Sequence, residues 1–385
     1  MSPFLLKSFI AALLLAAAAF AAQGAGDVPD AVAATFARSC AVAGCHQGRY
    51  PEMKLDFERA KILASALNVR SQERPSLMII DPGAPEASYL VKKIRGDKSI
   101  AGKRMPLAGT ALTEDGIRAI EAWIASLPKT GESSDAPKGG AFGSDPTFWG
   151  RQLINLPTDR MIDRGHFLFQ VSHRFNPPVS TGRDTFYGLD GPGHIFFGLG
   201  YGLSDRLAVS IGRAGLLQEV VLGLTWLAAA QEDGSFPVSV AVTAGGGLVT
   251  QSQPDRSLFN KRNMRASLQV SLTRKLTDRL SLMIVPGFTT NADPLGPETK
   301  GSFGLGFGGR YMIFGDISLI AEWAPVLSGF KADAAGWGVG IEKKIGGHVF
   351  QFFVVNSVGL TPGQSIPGGD LKKDVRLGFN IFRAF

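Results

Sequence analysis

The sequence predicts two unlike folds in one chain, a small all-α domain followed by an antiparallel transmembrane β-barrel of about 12 strands. Three observations carry that expectation. A chain of 385 residues exceeds the usual size of one compact domain. Composition changes near residue 130, from charged, alanine-rich stretches with few aromatics to a remainder rich in glycine and aromatics. Beyond that point apolar and polar residues alternate with period two in segments of about ten, the pattern of strands with one face on lipid and one on a polar lumen.

Ahead of both folds, Lys7 precedes the apolar run Ser8 to Ala22 and small-residue sites such as the one ending Gln23-Gly24-Ala25. Residues 1–25 read as a secretory signal peptide. The run is short for a transmembrane helix, and no later stretch reaches about 18 uninterrupted apolar residues. The expected mature chain is exported to an oxidising compartment. Its formal net charge is +7, but lysines and arginines are scattered among acids, so no nucleic-acid-binding stripe forms. The basic balance suits anionic lipid headgroups or an acidic redox partner.

Within 27–130, Asp27 to Ser39 has helical spacing, with Val32, Phe36 and Ala37 on one side. It ends where Cys40-Ala41-Val42-Ala43-Gly44-Cys45-His46 begins, a run that holds the only two cysteines and sets a histidine directly behind the second. This reads as a covalent haem attachment site, in which two thiols bond the haem edge and an imidazole takes an axial position on the iron. The spacer is four residues instead of the usual two; its small side chains and Gly44 let the backbone bulge. Two other outcomes stay open: a disulfide loop, and a zinc site that would need a further ligand from His166, His173, His194 or His348, all in the other unit. Downstream, Phe57 to Leu67, Ala87 to Ile94 and Thr113 to Leu127 read as helices. Thr113 is the expected N-cap of the last, Glu114 and Asp115 suit its first turn, and Ile117, Ile120, Trp123 and Ile124 form its apolar stripe.

The run Ser39 to His46, Leu55-Asp56, the stretch from Asp81-Pro82-Gly83 to Lys92-Lys93, Arg104-Met105-Pro106 and Ile117 to Ile124 together resemble the cytochrome c-like domain common in planctomycete-type exported proteins. The likeness covers roughly residues 30–128. It implies haem thioethers on Cys40 and Cys45, His46 as the proximal ligand and Met105, on the loop before the last helix, as the distal one; Met53 and Met78 are rival thioethers. A thioether opposite an imidazole raises the reduction potential and fills the sixth site, which favours electron transfer over oxygen chemistry. One covalent haem c and a periplasmic redox partner protein are the implied cofactor and partner.

From Lys129 the chain is rich in glycine, proline and small polar residues, so 131–160 is expected to be a flexible linker. Within 161–385 the expected strands lie near 166–175, 193–203, 206–213, 217–228, 236–248, 262–273, 279–290, 302–313, 317–327, 335–344, 348–358 and 371–385. Connections at Ser204-Asp205, Lys275 to Asp278, Gly315-Asp316 and Gly346-Gly347 are tight, whereas 176–192, 249–261, 291–301 and 359–370 are long. Tight turns belong in the periplasm and long loops outside, which leaves the N-terminal unit and the C-terminus periplasmic. Val375, Leu377, Phe379, Ile381 and Phe385 share one face of the last strand, interrupted by Arg383, in the manner of an outer-membrane insertion signal. Inward candidates are Arg174, Glu219, Arg265, Arg310, Glu322 and Arg376, lining a pore or pairing to plug it. A soluble barrel with its oily face inward is the competing fold. Leu153 to Phe175, especially Leu156-Pro157-Thr158 and His173-Arg174-Phe175, resembles an uncharacterised family of outer-membrane barrels often found beside cytochrome domains.

No Ser/His/Asp set, phosphate loop or paired-carboxylate motif stands out, so an enzyme is not expected. The expected function is electron transfer by a periplasmic haem domain anchored in outer-membrane lipid. A single haem cannot carry electrons across an apolar band about 25 Å tall. The alternative is a porin-like channel or transporter with a periplasmic haem-bearing or disulfide-closed sensing or docking domain.

Overall fold

The computed structural model describes residues 28–48, 51–107, 110–128, 147–231, 236–293, 295–296, 299–345 and 347–385. The expected signal peptide and the 131–146 part of the expected linker lie outside them. The chain divides into an N-terminal α-rich unit and a C-terminal β unit.

Among the described residues, the N-terminal unit holds four α-helices, α1 (Asp30–Ser39), α2 (Ile62–Ala66), α3 (Tyr89–Arg95) and α4 (Glu114–Ser126). In α4 the Thr113 hydroxyl accepts the Gly116 N–H at 3.2 Å, and Ile117, Ile120, Trp123 and Ile124 are buried, so cap and stripe act as their spacing predicts. Phe36 of α1 stacks on Phe57 at 5.3 Å and meets the Trp123 edge at 6.1 Å, which joins the first and last helices in one core. Helix α2 is shorter than the expected Phe57 to Leu67. The Asp56 carboxylate accepts the Glu58 N–H at 3.0 Å and the Ser65 hydroxyl donates to the Asp56 carbonyl at 2.8 Å, a local turn that delays the helix.

The β unit comprises β1 (Phe167–Phe175), β2 (Gly193–Ser204), β3 (Leu207–Ala214), β4 (Glu219–Ala229), β5 (Ser239–Val249), β6 (Met264–Lys275), β7 (Leu280–Thr289), β8 (Ser302–Phe314), β9 (Ile317–Ala324), β10 (Val326–Gly329), β11 (Gly336–Ile345), β12 (His348–Val355) and β13 (Arg376–Ala384). All pairings are antiparallel, and β13 returns to β1 in the register Leu168↔Ala384 to Arg174↔Gly378, which closes the ring. Strands β9 and β10 both pair with β8 and form one stave, broken at Pro325, which has no N–H for the ladder. The ring therefore has 12 staves.

Side chains are arranged inside out relative to a soluble barrel. Phe197, Leu199, Val209, Ile211, Leu222, Leu224 and Trp226 are exposed on the outer wall, whereas Gln269, Ser271, Thr273, Gln351 and Asn380 are buried on the inner one. In water that surface would be strongly unfavourable; against acyl chains it is the stable arrangement. The competing soluble fold is thereby overturned. No helix among the described residues is long and apolar enough to cross a membrane.

Phe167 and Phe385 exchange backbone hydrogen bonds of 2.9 and 3.0 Å, so the barrel begins and ends on one rim. The tight connections β2–β3, β6–β7, β8–β9 and β11–β12 share that rim, and the long ones, 176–192, 250–263, 290–301 and 356–375, share the other. Two connections depart from this rule: 215–218 is short on the long-loop rim, and 230–238 is long on the first rim.

Part of the stretch expected to be a flexible linker is packed chain. From Thr147 to Ile162 it lies against the inner wall, with Phe148, Leu153, Ile154 and Leu156 in a core shared with Met283, Val285, Ile320 and Phe353 of β7, β9 and β12. Glycine and proline counts around 129–150 mask these apolar residues, which follow no regular period.

Candidate functional site: a filled lumen and a thiol-imidazole loop

The lumen is filled by two segments that enter from opposite rims. The first is a plug shaped as a hairpin. Gln152 pairs with Pro157, and the Leu153 N–H donates to the Leu156 carbonyl at 2.9 Å, so the chain reverses over Leu153 to Leu156. Glu322 of β9 receives that tip. Its carboxylate accepts the N–H groups of Ile154, Asn155 and Leu156 at 3.0 to 3.1 Å and the Asn155 side-chain amide at 2.9 Å. Charge-assisted bonds of this kind are roughly twice as strong as neutral ones.

Other staves grip the plug around its circumference. Arg174 of β1 donates to Asn155 at 3.0 Å, Asn380 of β13 to the Ile154 carbonyl at 3.0 Å, Gln351 of β12 to the Gln152 carbonyl at 3.0 Å, and Ser271 of β6 to the Pro157 carbonyl at 2.6 Å. The Arg310 guanidinium of β8 lies 4.3 Å from the Trp149 ring. The wall thins where the plug is thickest. A Cβ built on Gly306 would stand 2.5 Å from a Leu156 methyl, and one on Gly308 2.5 Å from a Leu153 methyl. This explains why Phe303, Leu305 and Phe307 alternate with glycines along β8.

The second segment is the β12–β13 connection, which folds inward around a short helix, α5 (Pro362–Ser365). Glu219 of β4 anchors it, accepting Thr361 and Gln364 at 2.8 Å each and Arg265 of β6 at 3.0 Å. Arg376 pairs with Asp370 of the same connection at 2.8 Å. All six inward charges expected from the alternation are thus inward, and they hold luminal segments as well as one another. Sequence reading missed Glu342 and the plug's own Arg151. Glu342 sits in Gly340-Ile341-Glu342-Lys343-Lys344, where polar residues fall on both parities and hide the inward one.

The N-terminal unit carries the second candidate. Helix α1 hands the chain to Cys40, whose N–H donates to the Phe36 carbonyl at 2.8 Å; the Cys45 N–H then donates to Val42 at 2.9 Å and the His46 N–H to Cys40 at 3.1 Å. Gly44 takes a φ of 71°, in the left-handed region that favours glycine. Cys40 and Cys45 do not form the disulfide that their spacing allowed. Burial, reinforced by Cys45, pushes the Cys40 thiol up to about 12. The His46 ring lies 4.9 Å from Phe57, with Nδ1 3.2 Å from the Glu52 carbonyl oxygen. Burial holds its pKa below the ordinary value, against the pull of Glu52 and the Leu55 carbonyl, so the neutral, ligating form prevails at neutral pH.

Met105 is half-buried on the loop between α3 and α4, and its N–H donates to the Lys93 carbonyl at 3.0 Å. Lys93 also donates to the Ala101 carbonyl at 2.7 Å, and its charge reaches His46, opposing protonation there. Met53 is exposed. Trp123 Nε1 is buried without a hydrogen-bond partner. No group of three or more His, Cys, Asp or Glu side chains among the described residues is placed to hold a metal ion, which leaves zinc without a ligand set there.

None of the curated proteins matches this chain. Among solved structures, the NanC porin aligns with a TM-score of 0.37 and 9% identity over 57% of this chain and 99% of its own. An outer membrane channel from Pseudomonas putida F1 aligns at 0.39 and 15% over 58% and 97%, and the KdgM porin at 0.35 and 10% over 57% and 99%. The family model described as "Membrane bound beta barrel domain (DUF5777)" matches residues 148–385, from the plug through the last strand. The chain therefore belongs to the DUF5777 family of membrane-bound β-barrel domains.

Proposed function

We propose that the protein is an outer-membrane channel or transporter held shut by its own plug, with the N-terminal unit as a periplasmic docking module. One observation carries the reading. Small barrels are ordinarily filled by their own wall side chains; here the wall retreats to glycine at Gly306 and Gly308, and a separate chain segment fills the space through polar bonds. Such a filling is removable without disturbing the ring of strands. A barrel that served only as an anchor has no need of that arrangement.

The test is conductance in planar bilayers of the full chain and of Glu322→Ala, which removes the acceptor of four hydrogen bonds at the hairpin tip. We expect the wild type to be closed most of the time and the variant to be open at least about tenfold more, from a loss of at least ~1.4 kcal/mol. Retained heat-modifiable migration in the variant shows that the ring is intact. If an intact ring stays silent in both proteins, the channel reading fails.

A second reading, electron transfer, draws support from Cys40 and Cys45, which form no disulfide, beside a neutral His46, and from the unsatisfied Trp123 Nε1. These side chains suit a covalent haem. Cys40 and Cys45 would bond it, His46 and Met105 would ligate its iron, and the bound group would supply one-electron Fe(III)/Fe(II) chemistry. The two readings are compatible in one molecule.

A further inference from the structure

Between the plug and the inner wall of β1–β6 lies a cavity of about 100 Å³. Leu168, Phe196 and Leu360 give it apolar lining. Arg151 gives it a charge. The Arg151 guanidinium, on the plug, makes one hydrogen bond, from Nη2 to the Thr225 hydroxyl at 2.8 Å. Its Nη1 stands over Gly200, where a Cβ would be 3.2 Å away. No carboxylate among the described residues pairs with it, unlike Arg265 and Arg376, which have Glu219 and Asp370. Ser210 of β3, which pairs with Gly200 in the register, also borders the cavity. A buried cation without a counter-charge is costly, and a guanidinium with donors to spare beside a cavity suits an acceptor.

We propose that this cavity binds a short-chain carboxylate. The Arg151 guanidinium takes the carboxylate oxygens, Ser210 supplies a further donor, and the apolar lining takes a small apolar tail. The site deepens the channel reading by naming its solute class: an anion lodged against the plug has differential contact with the plugged state and so biases plug position.

The probe is trifluoroacetate, observed by fluorine NMR on the full chain in detergent. We expect saturable line broadening in the wild type, weakened at least about tenfold in Arg151→Gln and a few-fold in Ser210→Ala, each checked for ring integrity by heat-modifiable migration. Acetate and propionate should displace the probe at lower concentration than inorganic phosphate. Should Arg151→Gln fail to fold, Arg151→Lys and Ser210→Ala carry the comparison. Absent or non-saturable broadening in the wild type overturns the site, as does an unchanged affinity in folded variants. Displacement by phosphate at lower concentration than by acetate overturns the carboxylate assignment. Conductance of the wild type and of Glu322→Ala reports separately on the channel: binding with no current from either keeps the site and sinks transport, and current without binding does the reverse.

Discussion

At His46, burial keeps the imidazole neutral, the form that any metal would require, and Nδ1 lies 3.2 Å from the Glu52 carbonyl oxygen. The thiol-imidazole loop stands out in the sequence because Cys40, Cys45 and His46 fall within one seven-residue run. Met105 enters the proposed haem site only through resemblance, since nothing in Arg-Met-Pro itself demands a ligand. The expected outcome for chain produced with a competent maturation system is one covalent haem per molecule, seen by pyridine haemochrome and intact mass, with Cys45→Ala losing most of it. Wild-type chain without haem sinks electron transfer and leaves the barrel reading untouched. The inward charges Arg174, Glu219, Arg265, Arg310, Glu322 and Arg376 were equally readable, because period two assigns a face to each. Arg151 was not, because the hairpin that carries it has no period to read.

At the scale of elements, strand positions follow from alternation to within a few residues except where a local device intervenes. Pro325 splits the expected 317–327 into β9 and β10, and the inward fold of the preceding connection delays the last strand from 371 to Arg376. The plug escaped because irregular chain is held by tertiary contacts that composition does not encode. Its dependence on the thinned wall gives a direct prediction. Gly308→Val places branched carbon where the Leu153 methyl now lies, 2.5 Å from the nearest possible Cβ, and should displace the hairpin. Limited trypsin digestion in detergent should then cut at Arg151 or Arg160 at least about tenfold faster than in the wild type, while the strands resist, because cleavage follows the population of the open form. Equal cutting in both proteins would mean that β8 and the plug are not coupled.

For the whole molecule, the ring has one rim of mostly tight turns that also carries both barrel ends, and one of mostly long loops. In the proposed topology the long loops lie outside, so an epitope inserted in 250–263 should be labelled on intact cells and one at Asp205 only after the outer membrane is breached. The reverse pattern would invert the proposed topology and remove the N-terminal unit from the periplasm.

The hairpin form of the plug also determines how it can leave. Trp149 lies against Arg310 in the half of β8 nearer the turn rim, the tip reaches Glu322 deeper in the ring, and the chain returns to that rim to start β1. Both arms therefore exit the same mouth, and the segment is a hook and not a thread. A hook is withdrawn by tension applied from one side, with no end to pass through the ring and no strand to unzip. Whatever unlocks this barrel mechanically must pull from the mouth where Phe167 meets Phe385, whereas a molecule arriving from the opposite mouth meets the α5 segment first and can act only by pushing or by binding.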